Sequence, residues 1–122
     1  MSAERFVSGT LTLELLDEGA EVTVVWTGRS IAREPGVFIL PVLIRAMDIA
    51  QQQNKRAVFD FRALAYLNSS TITPVIRVLE HAKRSGAQLT VRYNLALKWQ
   101  QLAFSALYLF GTADGRVLIQ GL

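Results

Sequence analysis

AVFDFRALAYLNSSTITPVI, residues 57 to 76, runs from one apolar segment through a cluster of hydroxyls into a second apolar segment with a proline just inside it. Its first part, AVFDFRAL (Ala57–Leu64), is short, apolar and flanked by segments of helical periodicity, which reads as a buried central strand. Asn68, Ser69, Ser70, Thr71 and Thr73 follow. Such side chains accept hydrogen bonds from the free N–H groups of a first helical turn. Pro74 lacks an N–H and suits a position where that donor is not needed. The pattern predicts a helix from about Thr71 to Ser85, with Asn68–Ser70 in the strand-to-helix corner and Gly86 as its C-terminal cap. One capping residue would suffice there, so the cluster holds more hydroxyls than capping requires.

The flanking chain completes the pattern. TLTLELLD (Thr10–Asp17) alternates apolar and polar residues, and EVTVVW (Glu21–Trp26) is rich in β-branched and aromatic ones. With DEGA turning between them, the two predict an antiparallel hairpin. A loop, TGRSIAREPG, leads to a helix over about Val37–Gln53, with Leu40, Leu43, Ile44 and Met47 as its apolar stripe. Pro41 either opens that helix or interrupts it. Beyond Gly86, AQLTVRY predicts a strand, LKWQQLAFSALYLFG a third helix closed by Gly111, and RVLIQG a last strand. The resulting order, ββαβαβαβ, implies an α/β fold: a mixed sheet with crossover helices packed against it. Residues 1–122 then form a single domain.

Composition removes several chemistries. The absence of cysteine excludes disulfides, thiolate catalysis and cysteine-bound zinc. The single histidine, His81, leaves no pair for a metal and no triad. There is no glycine-rich phosphate loop and no metal-spaced set of carboxylates, so neither a catalytic residue nor a cofactor is expected. Basic and aromatic residues do not interleave along a strand, which argues against direct nucleic-acid binding. The longest apolar run, VFILPVLI (Val37–Ile44), is far shorter than the roughly 20 residues a membrane-spanning helix needs. The N-terminus carries early charges without the apolar block of a signal peptide, so a cytoplasmic location is expected.

A hydroxyl at a helix start lies in a positive end-field beside unpaired N–H donors. Phosphorylated, it gains about −1.5 to −2 charges and three acceptor oxygens. The corner can hold that group without unfolding, while a partner docked on it is repelled.

The element order, the strand AVFDF and the corner YLNSSTI resemble the STAS domain of anti-sigma factor antagonists. In that family an apolar-Asp-apolar strand leads into an Asp-Ser-Ser/Thr-Gly corner at a helix start, followed by a helix ending in glycine and a short strand, as in KRSGAQLTV here. The corner is more similar still to the SiaC-type STAS-like phosphoproteins of bacterial signalling, which read Leu-Asn-Thr-Ser-Ser. The resemblance implies a STAS-like domain in which Ser69, directly after Asn68, is phosphorylated, with Ser70 the next acceptor. It implies partner switching between a histidine-kinase-like serine kinase of the anti-sigma type, a metal-dependent serine phosphatase and a downstream effector. The chain departs from the anti-sigma antagonist pattern at Asn68, where that family has Asp, and at Thr71, where it has Gly.

Asn68, Ser70, Thr71 and Thr73, with Arg77 and His81 on the polar face of the same helix, are the expected partner-binding residues. Glu80 and Arg84 are spaced for an i,i+4 ion pair on that face. VFILPVLI is expected to be buried in part, the rest serving as a contact for a partner or for a second copy in a homodimer. The third helix reads as mostly core, with Trp99 and Tyr108 available as surface anchors. Two other functions fit the same residues: a constitutive scaffold subunit that is never phosphorylated, and a small-ligand sensor with a pocket between the hairpin and the first helix.

Overall fold

The computed structural model describes residues 2–122 and shows one mixed seven-stranded sheet with three α-helices. The strands are β1 (Ser2–Ser8), β2 (Leu11–Glu18), β3 (Glu21–Ser30), β4 (Arg56–Asp60), β5 (Leu64–Leu67), β6 (Leu89–Tyr93) and β7 (Val117–Gly121). The helices are α1 (Gly36–Gln52), α2 (Ser69–Ser85) and α3 (Lys98–Ser105), the last running into a 3-10 turn over Ala106–Phe110. No helix of the described residues is long and apolar enough to cross a membrane.

Strands β1, β2 and β3 form an antiparallel meander, and β4, β6 and β7 then add in parallel, in the order β1-β2-β3-β4-β6-β7. The parallel strands advance across the sheet in chain order. Right-handed crossovers therefore place all three helices on one face. Burial follows the pleat. Leu13, Leu15, Val22, Val24, Phe59, Val91 and Ile119 are buried under the helices, while Thr12, Glu14, Thr23, Asp60 and Gln120 on the other face are only half-covered. On that open face Val58 and Thr90 are nonetheless buried. Arg56 donates to the Thr90 hydroxyl at 3.1 Å, and Arg92 reaches Glu21 at 3.0 Å, diagonally over the strand that carries Val58.

The observed order is βββαββαβαβ, so the expected ββαβαβαβ is short by two strands. Ser2–Ser8 adds β1 ahead of the hairpin, joined to β2 by a two-residue turn with Gly9 at positive φ. The expected strand Ala57–Leu64 breaks at Asp60. The Asp60 carboxylate accepts from the Arg62 backbone N–H at 3.1 Å and from its guanidinium at 3.0 and 2.8 Å, turning the chain out of the ladder. Buried Gln100 of α3 then satisfies the carbonyls of Phe61 and Leu64, at 2.7 and 3.1 Å. The chain resumes as β5 alongside the far end of β3, after a register shift between Gly28 and Arg29. Gly28 permits that shift: its φ is +85°, and a Cβ there would lie 2.0 Å from the Thr10 carbonyl oxygen.

The helices also differ in detail. In α1 the buried residues are Ile39, Val42, Leu43, Ala46, Met47 and Ala50, so the stripe is rotated from the expected one and leaves Ile44 exposed. VFILPVLI is buried in part as expected, with Val37 78% exposed. The third helix contributes less core than expected. Only Gln100 and Phe104 are buried in α3 and Leu107 in the turn after it, while Leu102 and Leu109 face solvent. Its helical hydrogen bonding tightens to 3-10 after Ser105, which turns the apolar residues off a single face. Phe104 completes an aromatic cluster with Phe61, Trp26 and Tyr93. Burial and the Tyr108 hydroxyl, 2.6 Å away, push the Tyr93 phenol up to about 12. The α2 C-terminus is held by Arg116, which donates to the carbonyls of Ala82, Ala87 and Lys83 at 2.7, 2.9 and 3.0 Å, beside a left-handed Gly86.

Burial pushes the Asp60 carboxyl up, but the hydrogen bonds and charge of Arg62 outweigh it and hold the group below its ordinary value. A lowered folded value stabilises above the unfolded pKa of about 3.9, and that contribution disappears as pH falls through the folded value. Asp60→Asn is therefore expected to be less stable than the parent at pH 7, with the difference shrinking below about pH 4. Urea denaturation of both proteins across that range checks it; a difference independent of pH would remove the electrostatic account of this turn.

Candidate functional site

The hydroxyl corner sits where β5 passes into α2. Strand β5 extends its ladder with β3 by one rung, the Asn68 N–H donating to the Ser30 carbonyl at 3.0 Å. Asn68 is the N-cap: its Oδ1 accepts from the Thr71 N–H at 3.1 Å and from the Thr71 hydroxyl at 2.7 Å. Its Nδ2 donates to the Ala32 carbonyl at 2.9 Å. The Thr71 hydroxyl lies 2.6 Å from that of Ser30, and both residues are buried, at 0% and 1% exposure. The single Thr71 proton is committed to Asn68, so Ser30 is the donor in that pair. These bonds fasten the first turn of α2 to the end of β3 and to the loop that follows it.

The geometry explains why Asn occupies position 68. Asp would keep the cap but set a carboxylate oxygen against the Ala32 carbonyl, where the amide now donates. It also corrects the place of Thr71. Expected on the partner-binding surface, Thr71 is buried and structural, because its hydroxyl is used within the corner.

The helix begins at Ser69, two residues earlier than expected. Pro74 therefore lies beyond the first turn, and its missing N–H leaves the carbonyl of Ser70 without the usual partner. Ser70 is exposed, so water can serve that carbonyl. Pro41 holds the same sixth position in α1, leaving the carbonyl of exposed Val37 free in the same way.

Ser69 and Ser70, the first two helical residues, are both exposed. Neither their hydroxyls nor their N–H groups bond to any described residue. Thr73, Arg77 and His81 are exposed as expected, and Asn68 is half-buried. Exposed Glu80 and Arg84 make no ion pair within 4 Å with each other or with any other described residue, contrary to their spacing; two solvated side chains gain little by pairing.

Two depressions run from this corner between α1 and α2. One, of about 360 Å³, is bordered by Arg33, Glu34, Ser70, Thr73, Pro74 and Arg77. The next, of about 180 Å³, shares Leu40 and Arg77 with it and adds Ile44, Met47, Val78 and His81. A third groove, of about 620 Å³, lies behind the corner, walled by Thr10, Leu11, Ser30, Ile31, Val37 and Phe38. Ser30 thus lines this groove while its hydroxyl serves α2.

No protein-family model matches the chain, and no curated protein matches it. Among the described residues no three His, Asp or Glu side chains are grouped to hold a metal.

Sequence reading missed Ser30 and Gln100. Ser30 is 41 residues from Thr71, inside a segment that reads as a plain loop, and nothing local marks it. Gln100, which is buried, sits among apolar residues in WQQLAF, and those neighbours are the one local sign of its place.

If Ser30 and Thr71 act as one unit, removing either hydroxyl disables the same bond. Ser30→Ala and Thr71→Val are each expected to cost about 1–3 kcal/mol, and the double variant less than the sum by about 1 kcal/mol. Chemical denaturation of the four proteins measures this cycle; full additivity would show that the two hydroxyls do not depend on each other.

Proposed function

We propose that this domain is a phosphorylation-controlled binding module of STAS-like type, acted upon rather than catalytic. The observation that carries the reading is the division of labour in the corner. Asn68 and Thr71 hold the helix start by bonds within the domain, while the adjacent Ser69 hydroxyl is exposed and bonded to no described residue. A kinase can reach that oxygen, and the phosphate needs no rearrangement of the core. The antiparallel meander followed by parallel strands, the Asp-bearing β4, and α2 ending at Gly86 also support the STAS-like reading.

In the unmodified state the binding surface comprises Ser69, Ser70 and Thr73, the half-buried edge of Asn68, and Arg77 and His81 farther along α2. Adding a dianion at Ser69 opposes an acidic or apolar partner. A histidine-kinase-like serine kinase, a metal-dependent serine phosphatase and a downstream effector are the partner types this mechanism needs. Ser69→Asp is expected to lose the partner and Ser69→Ala to retain it constitutively, both within about 0.5 kcal/mol of parent stability. Pull-downs from the native host with the three proteins, alongside denaturation curves, test this. Equal partner recovery by all three would move the switch elsewhere, and absence of phosphate from Ser69 and Ser70 in native protein would favour a constitutive scaffold.

One observation favours a second reading, that of a small-ligand sensor. The 620 Å³ groove has a volume typical of small-molecule sites and lies between the β1–β2 turn and the first turn of α1. That reading predicts a rise in melting temperature with some member of a nucleotide and lipid panel, abolished by Val37→Glu. A flat response across the panel would count against it.

A further inference from the structure

Ser69 and Ser70 are adjacent and both exposed, yet their surroundings differ. Successive helical residues point about 100° apart, whereas residues three, four and seven apart share a face. Ser70 thus shares a face with Thr73, Pro74 and Arg77, and all four border the 360 Å³ cleft between α1 and α2. Ser69 does not border it. Across the cleft stand Arg33 and Glu34 of the loop before α1. Neither Arg33 nor Arg77 makes an ion pair or a side-chain hydrogen bond with any described residue. Two free guanidinium groups against one carboxylate leave the cleft with a net charge of +1, counted over Arg33, Arg77 and Glu34.

We propose that this cleft is a phosphoryl receptor that takes the phosphate of a modified Ser70. It deepens the phospho-switch reading by giving the two neighbouring hydroxyls different outcomes. A phosphate on Ser69 projects into solvent at the partner surface. A phosphate on Ser70 is drawn into the cleft, where Arg77 and Arg33 supply charge-assisted hydrogen bonds and Thr73 a hydroxyl. There it ties the loop before α1 to α2 and neutralises the basic side of the cleft. In forming it, the Ser70 oxygen bonds to the terminal phosphorus of a nucleoside triphosphate. The bridging P–O bond breaks, the diphosphate leaves with that electron pair, and the hydroxyl proton passes to a base on the kinase. The helix start is common to both serines and does not separate them; the arginines do.

The test places phosphoserine genetically at position 70, and in a second protein at position 69, of the full chain. The phosphate is then titrated by phosphorus-31 NMR. Free phosphoserine loses its second proton near pH 6, and adjacent cations favour the dianion. The position-70 phosphate is expected to titrate about one unit lower than the position-69 phosphate. Arg77→Ala or Arg33→Ala should return it most of the way, and Glu34→Gln should lower it further. None of the three should move the position-69 phosphate comparably. The position-70 protein should also melt higher than its own Arg77→Ala variant by more than the unmodified pair differ. Equal titration at the two positions, or a position-70 value indifferent to both arginines, overturns the receptor. Because no partner enters the measurement, that outcome leaves the Ser69 switch to its own binding test, and failure of the switch leaves this titration unchanged.

Discussion

A buried hydroxyl pair holds the start of α2 in place. Ser30 and Thr71 meet at 2.6 Å where no water competes, and the Thr71 hydroxyl donates a hydrogen bond to Asn68, which in turn caps α2 and grips the carbonyl of Ala32. An unpartnered hydroxyl in that position would cost about 1–3 kcal/mol, so each member of the chain fixes the next. The result is a helix start whose orientation is set by bonds to β3 and its following loop. Ser69 and Ser70 are presented by this frame without contributing a side-chain bond to it. A surface residue with no structural duty is free to change its charge, and that freedom is what the proposed switch requires.

The same frame makes one short segment serve two sites. Residues 30 to 32 supply the anchor for α2 on one side and a wall of the 620 Å³ groove on the other. Beyond them, Arg33 and Glu34 reach the cleft beside Ser70. Anything that displaces this loop acts on both the groove and the helix start. The apolar residues that α1 leaves exposed, Val37 and Ile44, lie along these depressions rather than scattered over the surface. Together with the exposed side of α2 they form one continuous region around the hydroxyls, while on the opposite face of the sheet Arg56, Arg92 and Glu21 lie over Val58 and Thr90.

Much of this was legible in the residues, and the failures have identifiable causes. Period-two alternation located β2 and β3, and the Asn-Ser-Ser-Thr cluster marked the strand-to-helix corner before α2, because both signals are local. Strand β1 was missed because an edge strand with Glu4, Arg5 and exposed alternate residues lacks a hydrophobic face of its own. The break between β4 and β5 depends on Gln100, some forty residues away, and no pattern within AVFDFRAL announces it. The start of α2 was misplaced by two residues because Pro74 was given the first turn, whereas the exposed Ser70 carbonyl tolerates a missing partner. Thr71 looked like surface because its three neighbours in the cluster are; only the tertiary partner Ser30 shows it to be core.

The central claim is that the corner takes on a doubly charged group while the frame beneath it stays intact. Native-state amide hydrogen exchange on the full chain, with phosphoserine at position 69 and without it, addresses this most directly. The account predicts that the Thr71 and Asn68 amides and the body of α2 keep their protection, within about threefold, in the modified protein. A collapse of protection at Thr71 that spreads along α2 would contradict it, because phosphorylation would then act by melting the helix start rather than by re-charging an intact surface.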